Sequence, residues 1–179
     1  NGSEISLNAT SGGILFVKVY NECGESDTAA IEVFVHENPV LFMLNVSPIG
    51  EICEGTSVQI FSYATQCGNC SYYWNNNQYG NVLNVEATES FNYEVTVMNS
   101  FGCYDTASYY LLVHPTPIIE ISASNNPLIV GTETYISSGG AESYIWNNNL
   151  PPTSLHLVSP ELTTEYMVTG TDQYGCTST

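Results

Sequence analysis

Tyr72-Tyr73-Trp74-Asn75-Asn76-Asn77 returns as Ser143-Tyr144-Ile145-Trp146-Asn147-Asn148-Asn149. The two tryptophans stand 72 residues apart. A second pair follows the same period, Phe101-Gly102-Cys103 and Tyr174-Gly175-Cys176, with the cysteines 73 apart. One tyrosine precedes each of these cysteines by ten positions, Tyr93 and Tyr166. A fixed period with tryptophan early and Gly-Cys late is the signature of tandem copies of one small domain. Within the copies, apolar and polar residues alternate, as in Tyr93-Glu94-Val95-Thr96-Val97 and Ile31-Glu32-Val33-Phe34-Val35. Such runs, rich in β-branched and aromatic residues and bounded by Gly, Asn, Ser and Pro, read as strands. No helical period competes with them. Short strands separated by turns at about 8–12-residue spacing predict an all-β fold of tandem β-sandwich repeats.

Two proline-containing stretches mark the boundaries, Val35-His36-Glu37-Asn38-Pro39 and Val113-His114-Pro115-Thr116-Pro117. Proline restricts the backbone there and makes a stiff, extended joint. The chain thus divides into residues 1–38, the C-terminal part of an incomplete repeat; 39–116, a complete sandwich; and 117–179, a repeat lacking its last strand. The complete copy predicts strands at Leu41–Val46, Ser57–Tyr63, Ser71–Trp74, Val82–Val85, Asn92–Met98 and Ala107–Val113. The first segment predicts three, at Ile5–Leu7, Leu15–Tyr20 and Ile31–Val35.

One basic residue, Lys18, stands against 18 acids, for a net charge of −17. Lysine and arginine supply most of the affinity for phosphate backbones and anionic lipid, so nucleic acid and acidic membrane surfaces are excluded as partners. No apolar run approaches the roughly 20 residues of a membrane helix. The chain opens Asn1-Gly2-Ser3-Glu4 without an apolar leader, so any signal peptide is expected to be missing or removed. The acids are scattered singly, as on a solvated surface. Calcium is the one cation they leave to consider, and no EF-hand loop supports it. No cofactor is expected.

Six cysteines sit at 23, 53, 67, 70, 103 and 176. In the complete copy Cys53 opens the second strand and Cys103 follows the fifth. In an immunoglobulin-like sandwich these places face each other across the sheets, which predicts a Cys53–Cys103 disulfide and an oxidising compartment. Cys67-Gly68-Asn69-Cys70 admits three readings: a local disulfide, half of a zinc site, or a redox pair. Cys23 and Cys176 occupy the Cys103 position of their copies. The third copy has Ile129 where Cys53 would align, so Cys176 is expected to be a free thiol.

Trp74 and Trp146 read as core residues, with sugar-stacking platforms as the alternative. The Asn triplets after them read as turns, because Asn tolerates left-handed backbone, or as a polar sugar-binding edge. His36, His114 and His156 are too dispersed for a metal triad and are assigned joint and surface roles. No Gly-x-Ser-x-Gly elbow or phosphate loop appears, and the acids do not recur in register, so no catalysis is expected.

Cys53-Glu54-Gly55, Tyr72-Tyr73-Trp74, Tyr93-Glu94-Val95-Thr96-Val97, Gly102-Cys103 and Pro115-Thr116-Pro117 form a series. Tyr144-Ile145-Trp146, Tyr166-Met167-Val168 and Gly175-Cys176 partly restate it. The series resembles the PKD-like and immunoglobulin-like repeats of Bacteroidota surface proteins, among them giant adhesins exported by type IX secretion and the mobile adhesin of gliding bacteria. The resemblance implies a cell-surface location and a stalk or filament role. Its expected partners are neighbouring repeats of the same chain, surface polysaccharide or other surface proteins. It also implies Asp-Ser/Thr-apolar O-glycosylation, for which Thr28 in Asp27-Thr28-Ala29 and Thr106 in Asp105-Thr106-Ala107 are the candidates; a turn aspartate followed by a strand threonine is the plainer reading of both. Two alternative functions stand beside the adhesin segment. One is a carbohydrate-binding module that exposes Trp74, Tyr79 or the Asn turns. The other is a spacer in a secreted hydrolase.

Overall fold

The computed structural model describes every residue except 1–5, 7, 9, 19 and 26. The fold is all-β, with no helix among the described residues. The first segment holds β1 (Gly13–Val17), β2 (Tyr20–Asn21), β3 (Gly24–Glu25) and β4 (Ala29–Val33), with β1 antiparallel to β4 and β2 to β3. The strand expected at Ile5–Leu7 falls outside the described residues.

Next come β5 (Val40–Ser47), β6 (Ile52–Cys53), β7 (Ser57–Thr65), β8 (Cys70–Trp74), β9 (Val82–Glu86), β10 (Phe91–Asn99), β11 (Tyr104–Leu111) and β12 (Val113–His114). They form two three-stranded antiparallel sheets, β5-β7-β9 and β8-β10-β11. The short β6 and β12 pair in parallel, Ile52 with Val113 and Cys53 with His114. The sheets form because alternation puts one face of each strand inward. On β7 the inward set is Val58, Ile60, Ser62 and Ala64; on β10 it is Tyr93, Val95 and Val97. With Leu41, Leu83, Trp74 and Leu111 these close one core. Each fully buried aliphatic side chain there contributes about 1.5–3 kcal/mol of transfer free energy.

The third group is β13 (Glu120–Ala123), β14 (Thr134–Gly139), β15 (Ser143–Trp146), β16 (Leu155–Val158), β17 (Val168–Thr171) and β18 (Thr177–Ser178). It forms the sheets β13-β14-β16 and β15-β17-β18 around a second, smaller core of Ile136, Tyr144, Trp146, Val158 and Val168. Gly140 is required here. A side chain at its Cβ would come within 1.9 Å of the Ile118 carbonyl oxygen, and its φ is +91°.

The tryptophans are core residues. Trp74 is completely buried and donates its indole N–H to Gly80 O at 2.8 Å; Trp146 donates to Thr153 O at 2.9 Å. The Asn triplets are turns. Asn77, Asn148 and Asn149 have φ of 66°, 55° and 56°. Asn75 locks its turn to β10, its amide nitrogen donating to Asn92 O at 2.9 Å, and Asn147 locks its turn to the segment before β17, donating to Glu165 O at 3.0 Å.

The disulfides correct the expected pairing. Cys53 is bonded to Cys176, with Cα atoms 5.5 Å apart, and Cys103 is in no disulfide. The strand length explains why. Ser90, just before β10, accepts from Val113 N at 2.9 Å, which places that end of β10 beside β12 and its partner β6. Cys103 follows the opposite end of β10. Nine residues rising about 3.3 Å each put the two ends roughly 25–30 Å apart, far beyond the ~7 Å Cα limit of a disulfide. Cys176 is therefore not a free thiol; it is 1 % exposed and bonded across the two cores. Cys67 and Cys70 are bonded to each other, as the local-disulfide reading expects, so neither is a free thiolate for zinc.

Candidate functional site: a cross-linked joint between two cores

The joint is assembled from a turn and a strand pair. The turn Asp172-Gln173-Tyr174-Gly175-Cys176 links β17 to β18. Asp172 N donates to Cys176 O at 3.0 Å, and Asp172 Oδ1 accepts from Tyr174 N and Cys176 N, both at 2.9 Å. Gly175, with φ of +82°, supplies the left-handed residue that closes the turn. The turn holds out two side chains. Cys176 reaches β6 and bonds to Cys53. The ring of Tyr174 stacks on His114 of β12, with centroids 3.7 Å apart and planes within 15°.

The strand pair presents the other half. His114 O accepts from Glu54 N at 2.8 Å, which extends the β6–β12 pairing past Cys53. His114 Nε2 meets Glu51 Oε2 at 2.6 Å. The imidazole is thus held from one side by a carboxylate and covered on a face by a phenol ring. Glu51, Cys53 and His114 come from the first core's own chain, Tyr174 and Cys176 from the second's.

The same parts recur at the other end of the first core. In the turn Asn99-Ser100-Phe101-Gly102-Cys103, Asn99 N donates to Cys103 O at 3.0 Å. Asn99 Oδ1 accepts from Phe101 N and Cys103 N, both at 3.0 Å. Gly102 also has φ of +82°. Phe101 stacks on His36, centroids 3.5 Å apart and planes within 8°. Asn99 Nδ2 donates to Glu37 O at 3.2 Å, and the half-buried Cys103 Sγ lies 3.8 Å from His36 O.

His36 and His114 accordingly take the joint roles expected of them. His156 departs from its expected surface role: it is buried, edge-on to Trp146 at 5.2 Å, with Nε2 3.0 Å from Thr153 O.

The carbohydrate alternative has a distinct surface. Trp74 takes no part in it, being buried. On the outer face of β8-β10-β11, Tyr73, Thr96 and Thr106 stand in one row across the sheet, with Tyr104 and Tyr110 farther along β11. Tyr79 is 77 % exposed and packs on Tyr73 at 5.3 Å, and Tyr73 OH donates to Asn77 Oδ1 at 2.7 Å.

Thr106 is exposed in that row, and Thr28 is exposed just before β4. Asp105 is committed to the fold. Its Oδ2 accepts from Leu41 N at 2.9 Å and its Oδ1 from Thr106 N at 2.9 Å, so the first strand is tied to β11. Among the described residues, no group of three His, Cys, Asp or Glu side chains is placed to hold a metal ion, and no helix is long and apolar enough to cross a membrane.

No protein family model matches the chain, and no curated protein matches it. Among solved structures, it is similar to SGBP-B of the Bacteroides ovatus mixed-linkage glucan utilization locus, solved in complex with a mixed-linkage heptasaccharide. The TM-score is 0.34 and the identity 12 %, over 79 % of this chain and 45 % of that one. The chain thus spans less than half the length of that protein.

Proposed function

We propose that this chain is a structural segment of a long, repetitive bacterial cell-surface protein, a stalk or filament of an adhesin built from tandem PKD-like or immunoglobulin-like sandwiches. The observation that carries this reading is the Cys53–Cys176 bond, which joins one core to the next instead of bracing a single one. A bond in that place does nothing for chemistry and much for fixing the orientation of successive units. The stacked His114–Tyr174 pair seats the same contact, and the proline joint shortens the free linker. Two disulfides suit an oxidising, extracellular location. The segment acts without catalysis, and its partners are its own neighbouring units.

Small-angle scattering of the chain before and after reduction tests the proposal. A single fixed inter-unit spacing when oxidised, replaced by a broad distribution when reduced, is expected. Identical profiles in the two states would remove the structural role.

A second reading, a carbohydrate-binding module, rests on the exposed Tyr73–Tyr79 pair and the hydroxyl-rich row beside it. Glycan-array binding lost in Tyr79→Ala would favour it; no binding by the folded chain ends it.

A further inference from the structure

The two joints share three parts and differ in what faces the cysteine. Each has an Asn or Asp turn, a ring on a linker histidine, and a cysteine beside the segment that carries this histidine or its strand partner. At the second joint β6 pairs with β12 and supplies Cys53. At the first joint, among the described residues, no strand pairs with 34–39. The Cys103 thiol instead faces the His36 carbonyl, the group whose counterpart on His114 accepts Glu54 N. The missing part is therefore a strand bearing a cysteine.

We propose that Cys103 is a cross-linking site, and that its partner is a cysteine on the opening strand of the unit that β1 and β4 complete. That strand would lie beside Val35 and His36 as β6 lies beside Val113 and His114. Among the described residues of the first segment, no strand takes the place that β6 takes beside β12. Cys23 does not fit the role. It stands in the β2–β3 turn, at the far end of β4 from His36. Asn99 holds the thiol ready, with one amide oxygen on the Cys103 N–H and its amide nitrogen on Glu37 O.

Formation is an oxidation. Each of the two thiols gives up its proton, the sulfurs join, and the two electrons pass to the disulfide of a thiol oxidoreductase, which leaves as a dithiol. The resulting bond would close a loop overlapping that of Cys53–Cys176, because Cys53 lies before Cys103 in the chain and Cys176 after it. Successive loops of this kind interlock, so no unit could swing free of the next while both bonds stand.

The inference rests on the structural reading but fails separately from it. The test is peptide mapping of the intact protein taken from its native surface, with free thiols alkylated before digestion under non-reducing conditions. The expected result is Cys103 unalkylated and linked to a cysteine peptide from chain preceding Gly13. Alkylated Cys103 with Cys53–Cys176 intact overturns the inference and leaves the structural reading standing. Cys103 linked to a second copy of itself also overturns it. An absent Cys53–Cys176 bond overturns both.

Discussion

Cys176→Ser would cut the bond between the two cores, and its cost can be worked from the chain path. The bond spans 123 positions. When only the second core unfolds, however, residues near Thr116 remain anchored on the first core. The closed loop is then about 60 residues, and the chain-entropy relation gives about 4 kcal/mol. When only the first core unfolds, the loop from Cys53 to the joint is of similar length, and the cost is again about 4 kcal/mol. Both cores should therefore lose stability from a change to one. Nature provides a reporter for each: Trp74 is buried in the first core and Trp146 in the second. The assay is urea denaturation followed by tryptophan fluorescence, using Trp74→Phe and Trp146→Phe backgrounds to separate the signals. Cys176→Ser should lower both midpoints by amounts equivalent to about 4 kcal/mol. Cys103→Ser, which breaks no bond in this chain, should leave both nearly unchanged. If Cys176→Ser moves only the Trp146 transition, the cores are not coupled through Cys53 and the reasoning is refuted.

Three further expectations follow from named contacts. Trp74→Phe removes the donor to Gly80 O and leaves a gap in a filled core, so it should destabilise the first core by about 2–4 kcal/mol in thermal or chemical melts and leave the second untouched. Asp105→Ala strips the acceptor from Leu41 N and Thr106 N and should cost about 1–3 kcal/mol, with Asp105→Asn recovering part of it; an unchanged melt would mean water replaces the carboxylate. Burial, with the Glu89 carboxylate adding to it, raises the Tyr93 phenol above its ordinary value of 10.0. The folded state therefore keeps its proton where the unfolded chain would release it. Stability from this group is full below pH 10 and declines as pH climbs through the raised value, and Tyr93→Phe should flatten that part of an alkaline stability profile.

Much of the fold could be read from period alone. The strand runs at Ser57–Tyr63 and Asn92–Met98 fall inside β7 and β10, because each alternates cleanly and has one face to bury. Alternation assigns residues to faces, and it placed both tryptophans in cores. It says nothing about which end of a strand a turn occupies in space, and that decides which cysteines can pair. Cys53 and Cys103 were matched by order along the chain, whereas β10 carries them to opposite ends of the sandwich. A signal was present. Ile129 stands where the repeat pattern would align a counterpart of Cys53, yet Cys176 is present. A cysteine without a counterpart inside its own unit leaves only a partner elsewhere, and Cys53 of the preceding unit is that partner. The burial of His156 is not legible in the sequence, because a lone histidine in a polar-looking stretch carries no sign of the indole edge that covers it.

The position of the Cys53–Cys176 bond also decides how tension would pass through the molecule. A pull applied at Val40 and at Thr179 meets a covalent short cut: from β5 to Cys53, across the sulfurs to Cys176, and out. The chain between the two cysteines, 123 positions long in sequence, lies off that line. Drawn out it would add roughly 400 Å, but with the bond in place it cannot be paid out at all. The chain between Cys53 and Cys176 is thus shielded from extension, while β5, which lies before Cys53, stays on the load line. An extracellular reductant would change the molecule from an inextensible tie into one with a long reserve of slack.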